Sequence, residues 1–220
     1  MTKKIYINPG HSDTDPGAVG YATERTLNVA VSQYMETYLQ EHYDCQVRLN
    51  PGSMDDLSAI ARDANDWGAD LFVSNHFNAA GGDGYEALVY SRERLALGKI
   101  FAKQVQAAGQ NLRSSSVAPG VKLRPGLTVL KATRMPAIVN EGAFVDNKKD
   151  IADWDEPREL QKLGEAYARA AAEFLGLPEK PRKIYRVQAG AYREKANAEK
   201  KLQALRQAGF ADAFVTVEER

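Results

Sequence analysis

With 220 residues, 44% of them hydrophobic, the chain is long enough for one domain of ordinary size and a small second segment. Lysine plus arginine and aspartate plus glutamate number 29 each, so no net charge attracts the protein to nucleic acid or to an anionic membrane. The single cysteine, Cys45, excludes an internal disulfide and is expected to be a packing residue. No stretch approaches the roughly 20 apolar residues of a membrane span, so membrane insertion is not expected.

Two predicted strands end close to a histidine, and a predicted helix begins with a glutamate. The apolar residues 5–7 run into Asn-Pro-Gly and then His11, which predicts a strand followed by a turn. A second buried strand at 69–74 leads to His76, and Glu24 lies in the first turn of a helix that begins after Thr23. Sites in open α/β sheets are built at such strand ends. Two histidines and a carboxylate are therefore candidate ligands for zinc.

Each of these side chains also has a structural explanation. Glu24 could interact with the N-terminus of its own helix, and either histidine could be an ordinary structural residue, as we expect for His42 at a helix end. The Gly-rich segment 15–20 could fold back and bring Glu24 toward His11. Three ligands with no obvious fourth favour a catalytic zinc site, which keeps one position open for water, over a structural one.

Such a site also needs a group that carries protons. Glu141 follows the predicted strand 137–139 and would lie at the same sheet edge. We expect it to take a proton from the attacking water and pass it to a leaving amine. Asp13 and Asp15 offer an alternative, a carboxylate pair that cleaves glycosides without metal. The adjacent Pro-Gly makes turn formation another use for these two aspartates.

The rest of the first 175 residues alternates between helical and strand patterns. A capping box of Ser53 and Asp56 is expected to begin the second helix. Residues 114–126 are expected to form a polar loop that flanks a cleft. The other predicted segments are helices at 53–67, 92–112 and 156–175, and strands at 46–49, 85–90 and 127–130. This alternation predicts an α/β fold with a mostly parallel sheet covered by helices on both faces.

Five sequence blocks occur in the order found in one enzyme family. They are NPGH at 8–11, DPGA at 15–18, ERTLN at 24–28, SNHFN at 74–78 and PAIVNEGAFVDN at 136–147. Together they resemble the zinc-dependent N-acetylmuramoyl-L-alanine amidases of the Amidase_3 type over residues 3–175. The resemblance implies a three-layer fold with six strands and hydrolysis of the amide between N-acetylmuramic acid and L-alanine in peptidoglycan. It also implies that His11, Glu24 and His76 bind one zinc ion and that Glu141 is catalytic.

Two further features are similar to those of phage endolysins within this family, and the first of them is also similar to some sporulation amidases. The link from Asn78 to Tyr85 is too short for the regulatory helix that blocks the zinc site in cell-division members. The first residues lead directly into a strand, without the apolar core of a signal peptide. We therefore expect synthesis in the cytoplasm without a signal peptide and action on the cell wall after release.

The C-terminal residues form a separate segment. Residues 176–183, rich in proline and charge, predict a linker between a catalytic domain at 1–175 and a segment at 184–220. A strand, a helix and a strand are predicted in this segment, which resembles the first half of a SPOR domain, a module whose family binds peptidoglycan glycan strands. So small a β-α-β unit buries too little apolar surface to be stable alone. It is expected to pair in a homodimer, to dock on the amidase domain, or to be a mobile, truncated piece.

Two other interpretations of the whole chain remain open. It could be a non-catalytic peptidoglycan-binding protein that keeps the fold for recognition. It could also be a metal-free wall glycosidase that uses Asp13 and Asp15.

Overall fold

The structure is a computed structural model that describes residues 2–181 and 187–217. Contacts between residues divide the chain into two compact units, 1–180 and 181–220. The elements of the first unit, in chain order, are β1 (Lys3–Pro9), α1 (Glu24–His42), β2 (Cys45–Leu49), α2 (Leu57–Trp67), β3 (Leu71–Asn78), β4 (Glu86–Val89), a 3₁₀ turn (Arg92–Arg94), α3 (Leu95–Ala107), β5 (Val121–Leu123), α4 (Thr128–Ala132), β6 (Ala137–Phe144), α5 (Lys148–Ile151) and α6 (Pro157–Leu175).

The six strands form one sheet in the order β2-β1-β3-β6-β4-β5. Strands β1, β2, β3 and β6 are mutually parallel, whereas β4 is antiparallel to β6 and pairs in parallel with β5. The carboxyl ends of β1, β3 and β6 therefore meet the start of β4 at one edge of the sheet. This arrangement confirms the predicted mostly parallel sheet of six strands.

Helices α1, α3 and α6 cover one face of the sheet. Alternate strand residues such as Ile5, Ile7 and Val73 point into this larger core and are fully buried. Val31 and Met35, four residues apart on α1, are buried in the same core, as the helical periodicity predicts. Cys45 is partly buried against this core, in keeping with the expected packing role.

Helices α2 and α4 cover the other face. Their side chains pack with Tyr6, Phe72 and Val139, the strand residues of opposite parity. Asp56 is the N-cap of α2 and accepts a hydrogen bond from the Ser58 amide at 2.8 Å, so the helix begins four residues later than the predicted capping box at Ser53. The sheet thus has helices on both faces, as predicted.

Three other predicted elements differ from the structure. The predicted strand 127–130 is wrong, because these residues lead into α4, where Val129 and Leu130 are buried against α2. The predicted loop 114–126 contains the short strand β5. The predicted helix 92–112 is divided into a 3₁₀ turn and α3, which ends at Ala107.

Buried polar side chains connect the strands beneath the sheet edge. Tyr85 donates its hydroxyl to Asn140 Oδ1 at 2.6 Å, and Asn140 Nδ2 donates to Asn75 Oδ1 at 2.9 Å. Asn75 in turn donates to Ser32 Oγ on α1 at 3.0 Å. Because an unpaired buried amide is unfavourable, this chain of bonds favours one register of β3 against β6.

The second unit contains α7 (Lys195–Gln207), none of whose residues is buried. The described residues on either side, 187–194 and 208–217, form no strand, so the predicted β-α-β segment appears there only as its helix. The first two residues of the predicted strand 185–192, which include Tyr185, lie outside the described residues. Phe210 and Phe214 are exposed.

Part of the predicted linker belongs to the first unit. The Leu177 amide donates to Ala172 O at 2.9 Å, and the Lys180 amide donates to His42 O at 2.7 Å.

Within residues 2–181 and 187–217, no helix is both long enough and apolar enough for a membrane span.

Candidate active site

Three side chains from separate elements meet at the edge of the sheet. His11 follows β1, Glu24 begins α1, and His76 lies near the end of β3. His11 Nε2 is 3.0 Å from Glu24 Oε2, and His76 Nδ1 is 2.9 Å from Glu24 Oε1. One donor atom from each of the three residues lies within 4.8 Å of the other two. The structure therefore brings together the predicted His11, Glu24 and His76.

The backbone at the end of β1 turns sharply to place His11. His11 has φ of 64°, in the left-handed region that residues other than glycine rarely adopt. Two side chains of α1 hold this turn, because Arg25 Nη1 and Asn28 Nδ2 donate to the Gly10 carbonyl at 3.3 and 3.1 Å. The Asp15 carboxylate lies 2.7 Å from His11 Nδ1, so it fixes the ring with Nε2 facing Glu24.

The glycine-containing segment 15–20 folds back onto the site, as its composition predicted. The Ala18 amide donates to Glu24 Oε2 at 3.0 Å. Gly17 has φ of 66°, and a Cβ at this position would lie 2.5 Å from His11 Cδ2 and 2.7 Å from Glu24 Oε2. Only glycine allows the loop to approach both side chains this closely.

Charge interactions bind the three residues into one unit. Burial alone would raise the pKa of Glu24, but hydrogen bonds from His11 and His76 hold that pKa well below its usual value. The hydrogen bond to Glu24 is the largest influence on His11 and raises its pKa to about 9. A metal ion must displace the proton from this imidazole, so metal affinity should fall as the pH falls.

The donor set fits zinc. Two imidazole nitrogens and a carboxylate oxygen match the three protein ligands of a catalytic zinc site. Asp15 contacts His11 Nδ1, the ring nitrogen that points away from Glu24. In metal sites, a carboxylate in this position orients the histidine whose other nitrogen binds the metal.

Glu141 lies beside this cluster. It is the register partner of His76 on β3, so both side chains project from the same face of the sheet. Burial, with smaller contributions from the carboxylates of Glu24 and Glu86, raises the pKa of Glu141 to about 7. A carboxyl group with that pKa can both accept and donate a proton near neutral pH.

The other candidate residues have structural roles. Asp13 is exposed and pairs with Arg25 at 3.2 Å, while Asp15 contacts His11. Neither aspartate is therefore arranged as a member of a catalytic carboxylate pair. His42 stacks on Tyr38 with ring centroids 4.1 Å apart, at the far end of α1 from Glu24.

Sequence reasoning missed a charged group next to Glu141. Glu86, the first residue of β4, pairs with Glu141 across the ladder and contacts Arg113 and Lys122. In the sequence, only its place at the start of a strand indicates that Glu86 could lie near the site. The sequence does not show that β4 runs antiparallel to β6, which is what places Glu86 beside Glu141.

Comparison with known proteins identifies the family. The family model Amidase_3, described as N-acetylmuramoyl-L-alanine amidase, matches residues 5–173. The chain belongs to this amidase family. A second family model, the SPOR domain, matches residues 181–220.

Individual relatives agree with this assignment. The chain is 30% identical to the sporulation-specific N-acetylmuramoyl-L-alanine amidase of Bacillus subtilis over 205 residues, which cover 89% of this chain and 78% of that protein. It is also 30% identical to the endolysin of Bacillus phage SPP1 over 193 residues, 82% of this chain and 69% of the endolysin. The catalytic domain of the amidase CwlV from Bacillus (Paenibacillus) polymyxa var. colistinus has the same fold, with a TM-score of 0.72 and 24% identity over 80% of this chain and 99% of that domain.

Proposed function

We propose that this peptidoglycan amidase is zinc-dependent, with His11, Glu24 and His76 as the ligands of one zinc ion and Glu141 as the catalytic residue. The single observation that carries the proposal is the meeting of two imidazoles around a buried carboxylate, one strand away from a carboxyl group with a pKa of about 7. Zinc, when bound there, would polarise the substrate carbonyl and make water a stronger nucleophile.

The residues of the chain supply the proton transfers. Glu141 in its ionised form removes a proton from the water that attacks the lactyl carbonyl carbon of N-acetylmuramic acid. It then gives this proton to the amide nitrogen of L-alanine as the C–N bond breaks. The products are a lactyl carboxylate on the sugar and a stem peptide with a free N-terminal alanine. Asp15 keeps His11 oriented throughout.

The proposed biological role is that of a phage or prophage endolysin. Similarity to the SPP1 endolysin supports this role, as does the short connection at 79–85 between β3 and β4. We further propose that the enzyme is made in the cytoplasm, reaches the wall after release, and uses the SPOR segment at 181–220 to bind glycan strands. The catalytic domain at 1–175, the linker at 176–183 and the segment at 184–220 remain the proposed division of the chain.

The rival functions have less support. A non-catalytic wall-binding protein would not need a carboxyl group with a raised pKa beside three metal-binding side chains. A glycosidase that uses Asp13 and Asp15 would need both carboxylates free to act on the substrate, and both are already paired.

Chelation followed by restoration of metal tests the zinc proposal. The purified protein should lose its activity on peptidoglycan when treated with a chelator and regain it with one equivalent of zinc. Glu141→Gln should bind the same equivalent of zinc without restoring turnover. Full activity in the metal-free protein would contradict the proposed metal dependence, and normal turnover by Glu141→Gln would contradict the role of that residue.

The endolysin role and the oligomeric state need separate tests. Expression inside bacteria should leave the cells intact until the inner membrane is permeabilised, and lysis should then follow. Lysis without permeabilisation would contradict release as the controlling step. The homodimer through the C-terminal segment stays a prediction, and light scattering on the full chain and on a chain ending at Lys180 would measure it.

A further inference from the structure

A buried carboxylate and two basic side chains stand next to Glu141. Glu86 is the register partner of Glu141, so the row His76, Glu141, Glu86 crosses three neighbouring strands on one face of the sheet. The side chain of Glu86 is only 4% exposed. A buried carboxylate needs compensating partners.

Three groups surround Glu86. Asn78 Nδ2 on β3 donates to Glu86 Oε2 at 3.0 Å, and Arg113 Nη1 donates to the same oxygen at 3.1 Å. The Lys122 ammonium group contacts Oε1. The Arg113 guanidinium also lies over the Phe144 ring, 4.9 Å from its centroid. These contacts hold both cations in fixed positions at the sheet edge.

The cluster contains more positive charge than the carboxylate requires. One cation would balance Glu86, yet two contact it, so these three side chains together carry one formal positive charge, and the Glu141 carboxyl is the neighbouring acidic group. The basic side chains are also the accessible members of the group, since Arg113 is 37% and Lys122 is 27% exposed while Glu86 is 4% exposed. The cluster therefore presents the N–H donors and positive charge of Arg113 and Lys122 to a ligand, while the Glu86 carboxylate stays buried.

The position of the cluster suits a particular part of the substrate. Glu86 stands two strands from His76, or roughly 10 Å at the usual spacing of strands. Two residues of extended peptide span roughly 7 Å, and a hydrogen bond of roughly 3 Å between the substrate group and a guanidinium or ammonium nitrogen covers the difference. A group on the second residue after the cleaved amide is therefore within reach of the two cations.

We propose that Arg113 and Lys122, held by Glu86, form a subsite for the α-carboxylate of the second stem-peptide residue. In peptidoglycan this residue is D-glutamate joined through its side-chain carboxyl, so its α-carboxyl is free or is converted to a carboxamide. A guanidinium and an ammonium bind the carboxylate through charge-assisted hydrogen bonds, which the neutral carboxamide cannot match. The proposal rests on the proposed amidase function and adds a substrate preference to it.

A matched pair of soluble substrates tests the subsite. The first is N-acetylmuramyl-L-alanyl-γ-D-glutamyl-L-lysine, and the second differs only in carrying an α-carboxamide on the glutamyl residue. Wild-type zinc-loaded enzyme should cleave the carboxylate form with a kcat/KM about tenfold higher, chiefly through a lower KM. In Arg113→Gln and in Lys122→Gln this ratio should fall to about 3 or less. Lys131→Gln, which removes an exposed charge on α4, should keep the wild-type ratio.

The ratio is insensitive to partial loss of folded enzyme, because both substrates are measured on the same sample of each variant. A wild-type ratio near one would overturn the subsite while the measured turnover upheld the amidase function. A tenfold ratio that survives in both Arg113→Gln and Lys122→Gln would overturn the assignment to these residues. Failure of the zinc-loaded wild type to cleave either substrate would overturn the proposed zinc-dependent mechanism, and the subsite with it.

Discussion

The raised pKa of Glu141 gives a stability prediction that does not depend on substrate. Replacing Glu141 by Gln keeps the shape of the side chain and removes its charge. The folded-state pKa is about 7 against a usual value of 4.5. Below pH 4.5 the carboxyl is protonated in both the folded and the unfolded protein, so it has no effect on stability. Above pH 7 it is ionised in both states, and the full unfavourable effect of its burial is present.

The magnitude follows from the size of the shift. A difference of about 2.5 pKa units corresponds to roughly 3 kcal/mol of lost stability at high pH. Glu141 is partly exposed, so water screens part of this effect and we expect about 1–2 kcal/mol. For a unit of this size the gain in Glu141→Gln should be a Tm higher by about 3–6 °C at pH 8. At pH 4.5 the two proteins should unfold at nearly the same temperature.

Thermal unfolding of the metal-free proteins at pH 4.5 and pH 8 measures this difference. Metal must be removed because a bound cation would favour the ionised carboxylate. Glu41→Gln, which removes an exposed carboxylate from α1, is the matched control and should show no such dependence on pH. A Glu141→Gln protein that is no more stable than wild type at pH 8 would refute the reasoning from burial.

Three other changes test the construction of the site and the division of the chain. Asp15→Asn removes the carboxylate that orients His11, so zinc affinity should weaken about 10- to 100-fold. Competition with a chelator measures this affinity, and an unchanged value would show that the contact between Asp15 and His11 is incidental. Gly17→Ala places a methyl group against His11 and Glu24 at a position with a positive φ, so the folded protein should no longer bind zinc. Calorimetry measures this binding, and normal zinc uptake would mean that the loop can move aside. A chain ending at Lys180 should keep its Tm and its activity on soluble muramyl peptides. Less of it should sediment with insoluble peptidoglycan, and sedimentation equal to that of the full chain would contradict a wall-binding role for residues 181–220.

The meeting of the three proposed ligands could be predicted from the sequence because each lies at the end or the start of a regular element. His11 and His76 follow clear apolar strands, and Glu24 opens a helix with a clear apolar face. Parallel strands bring such positions to one sheet edge whatever the details of the loops. The contact between His11 and Asp15 was not predicted, since it depends on the left-handed turn at His11.

The errors have equally local causes. Leu127-Thr128-Val129-Leu130 has a strand-like composition, but tertiary packing overrides it, because the short helix α4 buries Val129 and Leu130 against α2. The reversed direction of β4 could not be seen in its four apolar-rich residues, and this reversal is what brings Glu86 next to Glu141. Strand direction is a property of the whole sheet, so the charged cluster around Glu86 became visible only in the structure.

The measurement that tests the central claim most directly is a count of the ends created when the enzyme digests purified peptidoglycan. Zinc-dependent amide cleavage predicts new N-terminal alanine without new reducing sugar ends, abolished by a chelator and restored by zinc. New reducing ends that persist in the presence of the chelator would contradict the account and point to glycoside cleavage instead.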